Sequence, residues 1–217
     1  MPRSPHPPQS AALADAARRR YRGLAAGDDS LSCGQALDLA EPRPGETVVD
    51  LGCGRGRDVL RAGAAVGPAG CAVGVDASED MLARAGAGVP EGAANVRFLR
   101  SDLAALDLPD GCADVVVSNC AINHAPDKAA VYREIARVLR PGGRFVVSDV
   151  VSEGVLPEEV RADPIAWAGC YGGAVPEADY LEAVRRAGLR EVAVLRRTQP
   201  YAKSGVLVRS LTLRGIR

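Results

Sequence analysis

The feature that most restricts this chain is the run "GETVVDLGCGRGRDVLRAGAAVG" over residues 45–67. A short β-branched stretch stops at a cluster of three alternating glycines, Gly52, Gly54 and Gly56, and is followed by a segment of helical composition that Gly67 and Pro68 stop. A strand that turns sharply into a helix through G-x-G-x-G places backbone N–H groups and the helix N-terminus against whatever lies above the turn. The run lacks the Lys and Ser/Thr of a phosphate-gripping loop and departs from G-x-G-x-x-G spacing, so adenosine without phosphates fits it better than a nucleoside triphosphate or a dinucleotide.

The same alternation continues downstream. "GCAVGVD" reads as a second strand closing on Asp76, and "SEDMLARAGAG" as a helix opening on Ser78 as N-cap. "NVRFLRSD", "CADVVVSN" and "GRFVVSDVV" supply three more strands, with the helix "PDKAAVYREIARVLR" before the last and "PGG" as its stop. Strand and helix alternating in this way predict an α/β fold with a doubly wound, mostly parallel sheet. After Val151 the rhythm changes. "LPEEVRADPIAWAGCYGGAV" predicts short helices and a loop, "PEADYLEAVRRAG" a helix with Pro176 near its first turn, and "LREVAVLRRTQ" and "SGVLVRSLTLRG" two neighbouring closing strands. The expected organisation is a disordered proline-rich leader over residues 1–10 and a single domain over 11–217. That domain divides into an N-terminal helical cap (11–45), a cofactor-binding core (46–151) and an acceptor-side part (152–217).

Twenty-seven basic residues balance 27 acidic ones, so no net field draws the protein to nucleic acid or to an anionic membrane. No run of about 18 apolar residues is present, and the first ten residues lack the apolar core of a secretion signal. The expectation is a cytoplasmic protein with no nucleic-acid or membrane partner, acting on a small molecule. Its six cysteines show no zinc-type spacing and no metal site is expected; in a reducing compartment they stay thiols. Asp76 stands near the roughly 20-residue distance from the glycine turn at which an acid meets ribose hydroxyls.

With "VVDLGCGRG", "GVDASEDML", "RSD", "SNCAINH" and "RVLRPGGRFVVSD" in this order, the chain resembles the class I S-adenosylmethionine-dependent methyltransferases over roughly residues 30–151. The resemblance implies a Rossmann-like seven-stranded sheet with an antiparallel last strand and S-adenosyl-L-methionine as cofactor. It implies that Gly52, Cys53, Gly54 and Gly56 cradle the methionine part, that Asp50 holds the glycine loop or the cofactor amine, and that Asp76 and the adjoining Ala77 meet the ribose. Met81, Ser101, Asp102 and Leu103 would lie by the adenine, and Asn119 and Cys120 would face the sulfonium.

"SLSCGQAL" with Cys33, and "DPIAWAGCYGGAV" with Cys170 between an aromatic residue and a glycine pair in what reads as a flexible loop, make the chain similar to the arsenite methyltransferase subgroup. There the implied acceptor is trivalent arsenic held by thiolates, free or thiol-conjugated. Soft donors suit a thiophilic centre. Cys33 and Cys170 match two ligand positions, and the third ligand would be Cys120, a bound small thiol, or absent. The alternative is a small-molecule O-, N- or C-methyltransferase with His124 as general base. A non-catalytic cofactor-binding module is the third reading.

Overall fold

The computed structural model describes residues 35–217 together with Leu13 and Arg19. Leu13 is helical and buried and Arg19 helical and exposed. The rest of the expected leader and first helix, and Cys33, lie outside the described residues.

Eight strands form one sheet: β1 Thr47–Leu51, β2 Cys71–Asp76, β3 Val96–Arg100, β4 Ala113–Asn119, β5 Leu139–Ser152, β6 Arg190–Arg197, β7 Tyr201–Lys203 and β8 Val206–Ile216. Across the sheet the order is β3-β2-β1-β4-β5-β8-β6, with β7 pairing with β8 off this path. The pairs among β1 to β5 are parallel, and β8 runs antiparallel to both β5 and β6. The expected seven strands and antiparallel closing strand are therefore present, with β7 as a short eighth strand that folds back on β8 as a hairpin.

Period-two alternation sends Val49, Leu51, Val116 and Phe145 to one face, where they meet the helices Lys128–Val138 and Glu177–Arg186. Val48, Val115, Val117 and Val146 point to the other face, toward the helices Ala36–Ala40 and Arg57–Val66. The Arg57–Val66 helix buries Val59, Ala62, Gly63 and Val66, the one-sided spacing of an amphipathic helix, and ends at Gly67 as the sequence predicts. Tyr132 packs edge-on to Phe145 and to Tyr180, with ring centroids 6.1 and 5.7 Å apart. Each such pair contributes about 1 kcal/mol beyond simple burial. Among the described residues no helix is long and apolar enough to cross a membrane.

Three local readings change. "PGG" does not delimit β5, which begins at Leu139. Between Ala113↔Leu139 and Val115↔Arg144 the register shifts, and Pro141, Gly142 and Gly143 are accommodated as a bulge that Gly142 and Gly143 pin to Arg217 through backbone hydrogen bonds. Pro176 is the N-cap of its helix rather than its first residue. The "WAGCYGGAV" segment is not a flexible loop. Trp167, Tyr171, Gly172, Gly173 and Ala174 are buried, and a Cβ on Gly173 would lie 2.0 Å from the Asn123 carbonyl oxygen. Its glycines are there because backbone packs on backbone.

Arg144 fixes the chain entering the sheet: it donates to both carboxylate oxygens of Glu46 at 2.7 and 2.8 Å and to the carbonyls of Ala40 and Glu41. This bidentate pair holds the Glu46 carboxyl below its usual range and seats the end of the Ala36–Ala40 helix on the sheet.

Candidate active site

The site lies at the carboxyl ends of β1, β2, β4 and β5, where ligands of open parallel sheets bind. Gly52, Gly54 and Gly56 all have positive φ, at 72°, 53° and 77°. Gly52 N–H and Cys53 N–H donate to the Val75 carbonyl, Gly56 N–H to the Cys53 carbonyl, and Gly54 N–H to Asp76 Oδ2 at 2.9 Å. The loop is thus closed by its own backbone and by the next strand. A Cβ on Gly52 would meet the Cβ of Ala121 at 2.2 Å and one on Gly56 would meet the Phe98 ring at 2.7 Å, whereas one on Gly54 would find nothing within 4 Å. Gly54 is the point where the turn opens to an incoming molecule.

Asp76 Oδ1 accepts from Ser78 N–H at 2.9 Å, and Ser78 Oγ in turn accepts from Met81 N–H as the expected N-cap. Burial raises the Asp76 carboxyl while the N–H donors of Ser78, Gly54 and Ala77 oppose the rise. With three N–H donors on its two oxygens, the carboxylate keeps a lone-pair site for a further hydroxyl donor. Ala77 is exposed beside it.

Asp50 is 5% exposed, and burial, with Asp58 and Asp76 nearby, pushes its carboxyl up to about 8. The N–H groups of Gly52, Cys53, Gly54 and Gly56 bond elsewhere, and a buried carboxyl of this kind suits a cationic partner. Cys53 differs from its neighbours. Its thiol packs in the core, 2.8 Å from where a Gly74 Cβ would sit, burial pushes that thiol up, its N–H donates to the Val75 carbonyl of β2 and its carbonyl accepts from Gly56 N–H. Its side chain supports the loop from beneath, and its carbonyl keeps one lone pair toward the turn. Met81 is also core, 1% exposed. Ser101 Oγ donates to the Ala105 carbonyl and accepts from Asp107 N–H, Asp102 caps Ala104 N–H, and Leu103 packs against the core. Those three residues form a compact turn after β3 with Asp102 exposed.

On the acceptor side, Asn119 uses its amide as a bridge: Oδ1 accepts from Ala36 N–H at 3.2 Å and Nδ2 donates to Asp58 Oδ2 at 3.1 Å. Its role is to tie the segment that follows Cys33 to the end of β4. Cys120 and Cys170 are two of the five described non-glycine residues with positive φ, at 55° and 68°. Such backbone is costly by about 1 kcal/mol or more and gathers at functional sites. Cys120 is buried, with its N–H on the Ser148 carbonyl. Cys170 Sγ lies 3.3 Å from His124 Nε2. The structure therefore brings together two residues, 46 apart in sequence, that the sequence assigned to competing mechanisms.

Sequence reasoning missed the supports. Asn123 is fully buried; its N–H donates to Asp149 Oδ2 at 3.0 Å, and its Nδ2 to the Val150 carbonyl at 2.6 Å and the Cys170 carbonyl at 3.1 Å. Asp149 also accepts from Val150 N–H and from Tyr180 Oη. Burial pushes its carboxyl up to about 6 against these donors and the charge of Lys128, and burial draws buried Lys128 down to about 8. From the hairpin, Lys203 Nζ donates to the Gly169 carbonyl at 2.8 Å and sits 5.3 Å over the Tyr171 ring. The one available signal was polar residues among apolar neighbours, Asn123 in "SNCAINH" just after β4 and Asp149 in "VVSDVV".

A methyltransferase domain model matches residues 42–188. An arsenite methyltransferase of Halobacterium salinarum is 40% identical over 168 residues, 77% of this chain and 43% of that protein. The nocamycin O-methyltransferase of Saccharothrix syringae is 35% identical over 182 residues, 82% of this chain and 62% of that protein. The crystal structure of an arsenic(III) S-adenosylmethionine methyltransferase from Chlamydomonas reinhardtii superposes with a TM-score of 0.76 at 30% identity, covering 91% of this chain and 73% of that one. The chain spans less than half the length of the Halobacterium protein. With the sheet order, the glycine turn and Asp76 in place, the chain belongs to the class I S-adenosylmethionine-dependent methyltransferases and is similar to the arsenite methyltransferases among them.

Proposed function

We propose that the protein transfers a methyl group from S-adenosylmethionine to trivalent arsenic held by the thiolates of Cys33 and Cys170. The observation that carries this reading is the fixed position of Cys170: a left-handed residue whose carbonyl is held by Asn123 at the end of β4, on the same sheet edge as the glycine turn. Ala36, three residues beyond Cys33 in sequence, is bonded to Asn119 on that edge.

The open face of Gly54 and the spare lone-pair site of Asp76 suit the cofactor, and the buried Asp50 carboxyl suits its cationic end. When bound, the cofactor supplies an electrophilic methyl group on a positively charged sulfur. The chain's own task is to hold the acceptor's lone pair in line and keep water out. Thiolates select arsenic over harder centres and leave its lone pair outward. A metalloid substrate, free or thiol-conjugated, follows.

The test is arsenite-dependent formation of S-adenosylhomocysteine by wild type, Cys33→Ser and Cys170→Ser. Loss of about tenfold or more in each variant is expected, the scale on which changes to a ligand set act. Undiminished turnover in both overturns the thiolate role. Turnover of hydroxylated organic acceptors alone would favour the second reading, His124 as base, to which the likeness to the nocamycin enzyme points.

A further inference from the structure

The arsenic lone pair needs no base to accept a methyl group, so the transfer itself gives a histidine at this edge no work. Loading does. Only the thiolate binds a soft centre, and an ordinary cysteine is a few per cent thiolate at neutral pH. His124 Nε2 lies 3.3 Å from Cys170 Sγ, within reach of a thiol proton.

The pair is held from both sides. His124 ends the 3-10 turn Ile122–His124, and its N–H is on the Ala121 carbonyl. Cys170 has its N–H on the Trp167 carbonyl and its carbonyl on Asn123 Nδ2, while the preceding carbonyl is held by Lys203. Asn123, next to His124, joins the two segments directly, and Gly173 lets them touch.

We propose that His124 is the proton acceptor that converts Cys170 to the thiolate on which a trivalent arsenic hydroxide is loaded. The Sγ–H bond breaks and the proton passes to Nε2, in the tautomer with its own proton on Nδ1. The thiolate forms the S–As bond as one As–O bond breaks, and the departing hydroxide takes the proton from the imidazolium and leaves as water. Nothing is oxidised or reduced, and His124 ends neutral. The step rests on the arsenic reading above, but the proton transfer is measurable without it.

Among the described residues, the titratable groups linked to the pair's supports are Asp149 on β5, which bonds Asn123 and Tyr180 and feels the charge of Lys128, and Lys203 on β7, which holds the Gly169 carbonyl and lies over Tyr171. Asp149 titrates near 6 and Lys128 near 8, so between those values their charges oppose each other. Both therefore titrate within the range tested, and the part of a pH response that belongs to the Cys170–His124 couple is the difference between wild type and His124→Gln.

The experiment is the rate of Cys170 alkylation by iodoacetamide from pH 5.5 to 9.5, resolved by peptide mass spectrometry, in wild type and His124→Gln, with thermal melts confirming that both are folded. Wild type is expected to be at least about tenfold faster at pH 6.5 and the two to converge near pH 9.5, where the thiol ionises unaided. Equal rates at neutral pH, or a loss of the same size at every pH, overturn the proposal. Arsenite turnover is measured in parallel. Turnover with a His124-independent profile refutes this inference alone. A His124-dependent profile with no arsenite turnover refutes the arsenic reading and its loading step, and supports the proton transfer.

Discussion

Replacing Asp50 by Asn should stabilise the ligand-free protein, increasingly so as the pH rises. Asp50 is 5% exposed on β1, with Asp58 and Asp76 as neighbours, and its carboxyl titrates near 8 in the fold. In the unfolded chain an aspartate titrates near 4. Between those values the folded protein holds a proton that the unfolded chain has released. Stability from this group is therefore complete below about pH 4 and is lost as pH rises through 8, at about 1.4 kcal/mol per pH unit. From pH 5 to pH 7 the loss is about 3 kcal/mol. Asn keeps the shape and does not titrate. Urea denaturation of both proteins at pH 5, 6 and 7 without cofactor should show the difference between them growing by about that amount in favour of Asp50→Asn. A difference that stays constant across the three pH values refutes the reasoning. A cationic cofactor should draw the proton off, so wild-type binding should tighten from pH 6 to pH 8 and that of Asp50→Asn should not.

Two contrasts test the rest of the site. Gly52→Ala combines left-handed backbone with a 2.2 Å clash on Ala121, and should lower stability by about 2–5 kcal/mol; Gly54→Ala meets open space, should cost about 1 kcal/mol, and should weaken cofactor binding measured by calorimetry while the fold survives. Equal thermal shifts in the two would contradict this geometry. Asn123→Ala strands the buried Val150 carbonyl and the part-buried Cys170 carbonyl, so denaturant melts should show a loss of about 1–3 kcal/mol and kcat should fall more than KM rises; a variant as stable as wild type removes the clamp.

How much of this was legible in the sequence depended on the range of the interaction responsible. Local chemistry read correctly: the glycine turn, the Ser78 cap, the helix stop at Gly67 and the strand that closes on Asp76 are each set by a few adjacent residues. What failed was set by tertiary packing. Gly172 and Gly173 looked like sources of flexibility because nothing nearby in sequence shows that Trp167 and the Asn123 carbonyl press against them. Cys53 sat inside the motif yet faces the core, since the turn that opens at Gly54 directs the preceding side chain inward. "PGG" read as a terminator because a bulge is visible only when the partner register is known. Cys170 and His124 were placed in rival mechanisms for the same reason: their meeting is made by Asn123 and by two segments 46 residues apart.

Arsenic K-edge absorption of the arsenite-loaded protein addresses the central claim most directly, because it counts sulfur neighbours without requiring turnover. A shell of at least two sulfurs in wild type, reduced by one in Cys170→Ser, is the predicted result. A spectrum with oxygen neighbours only, or one that Cys170→Ser leaves unchanged, contradicts the account.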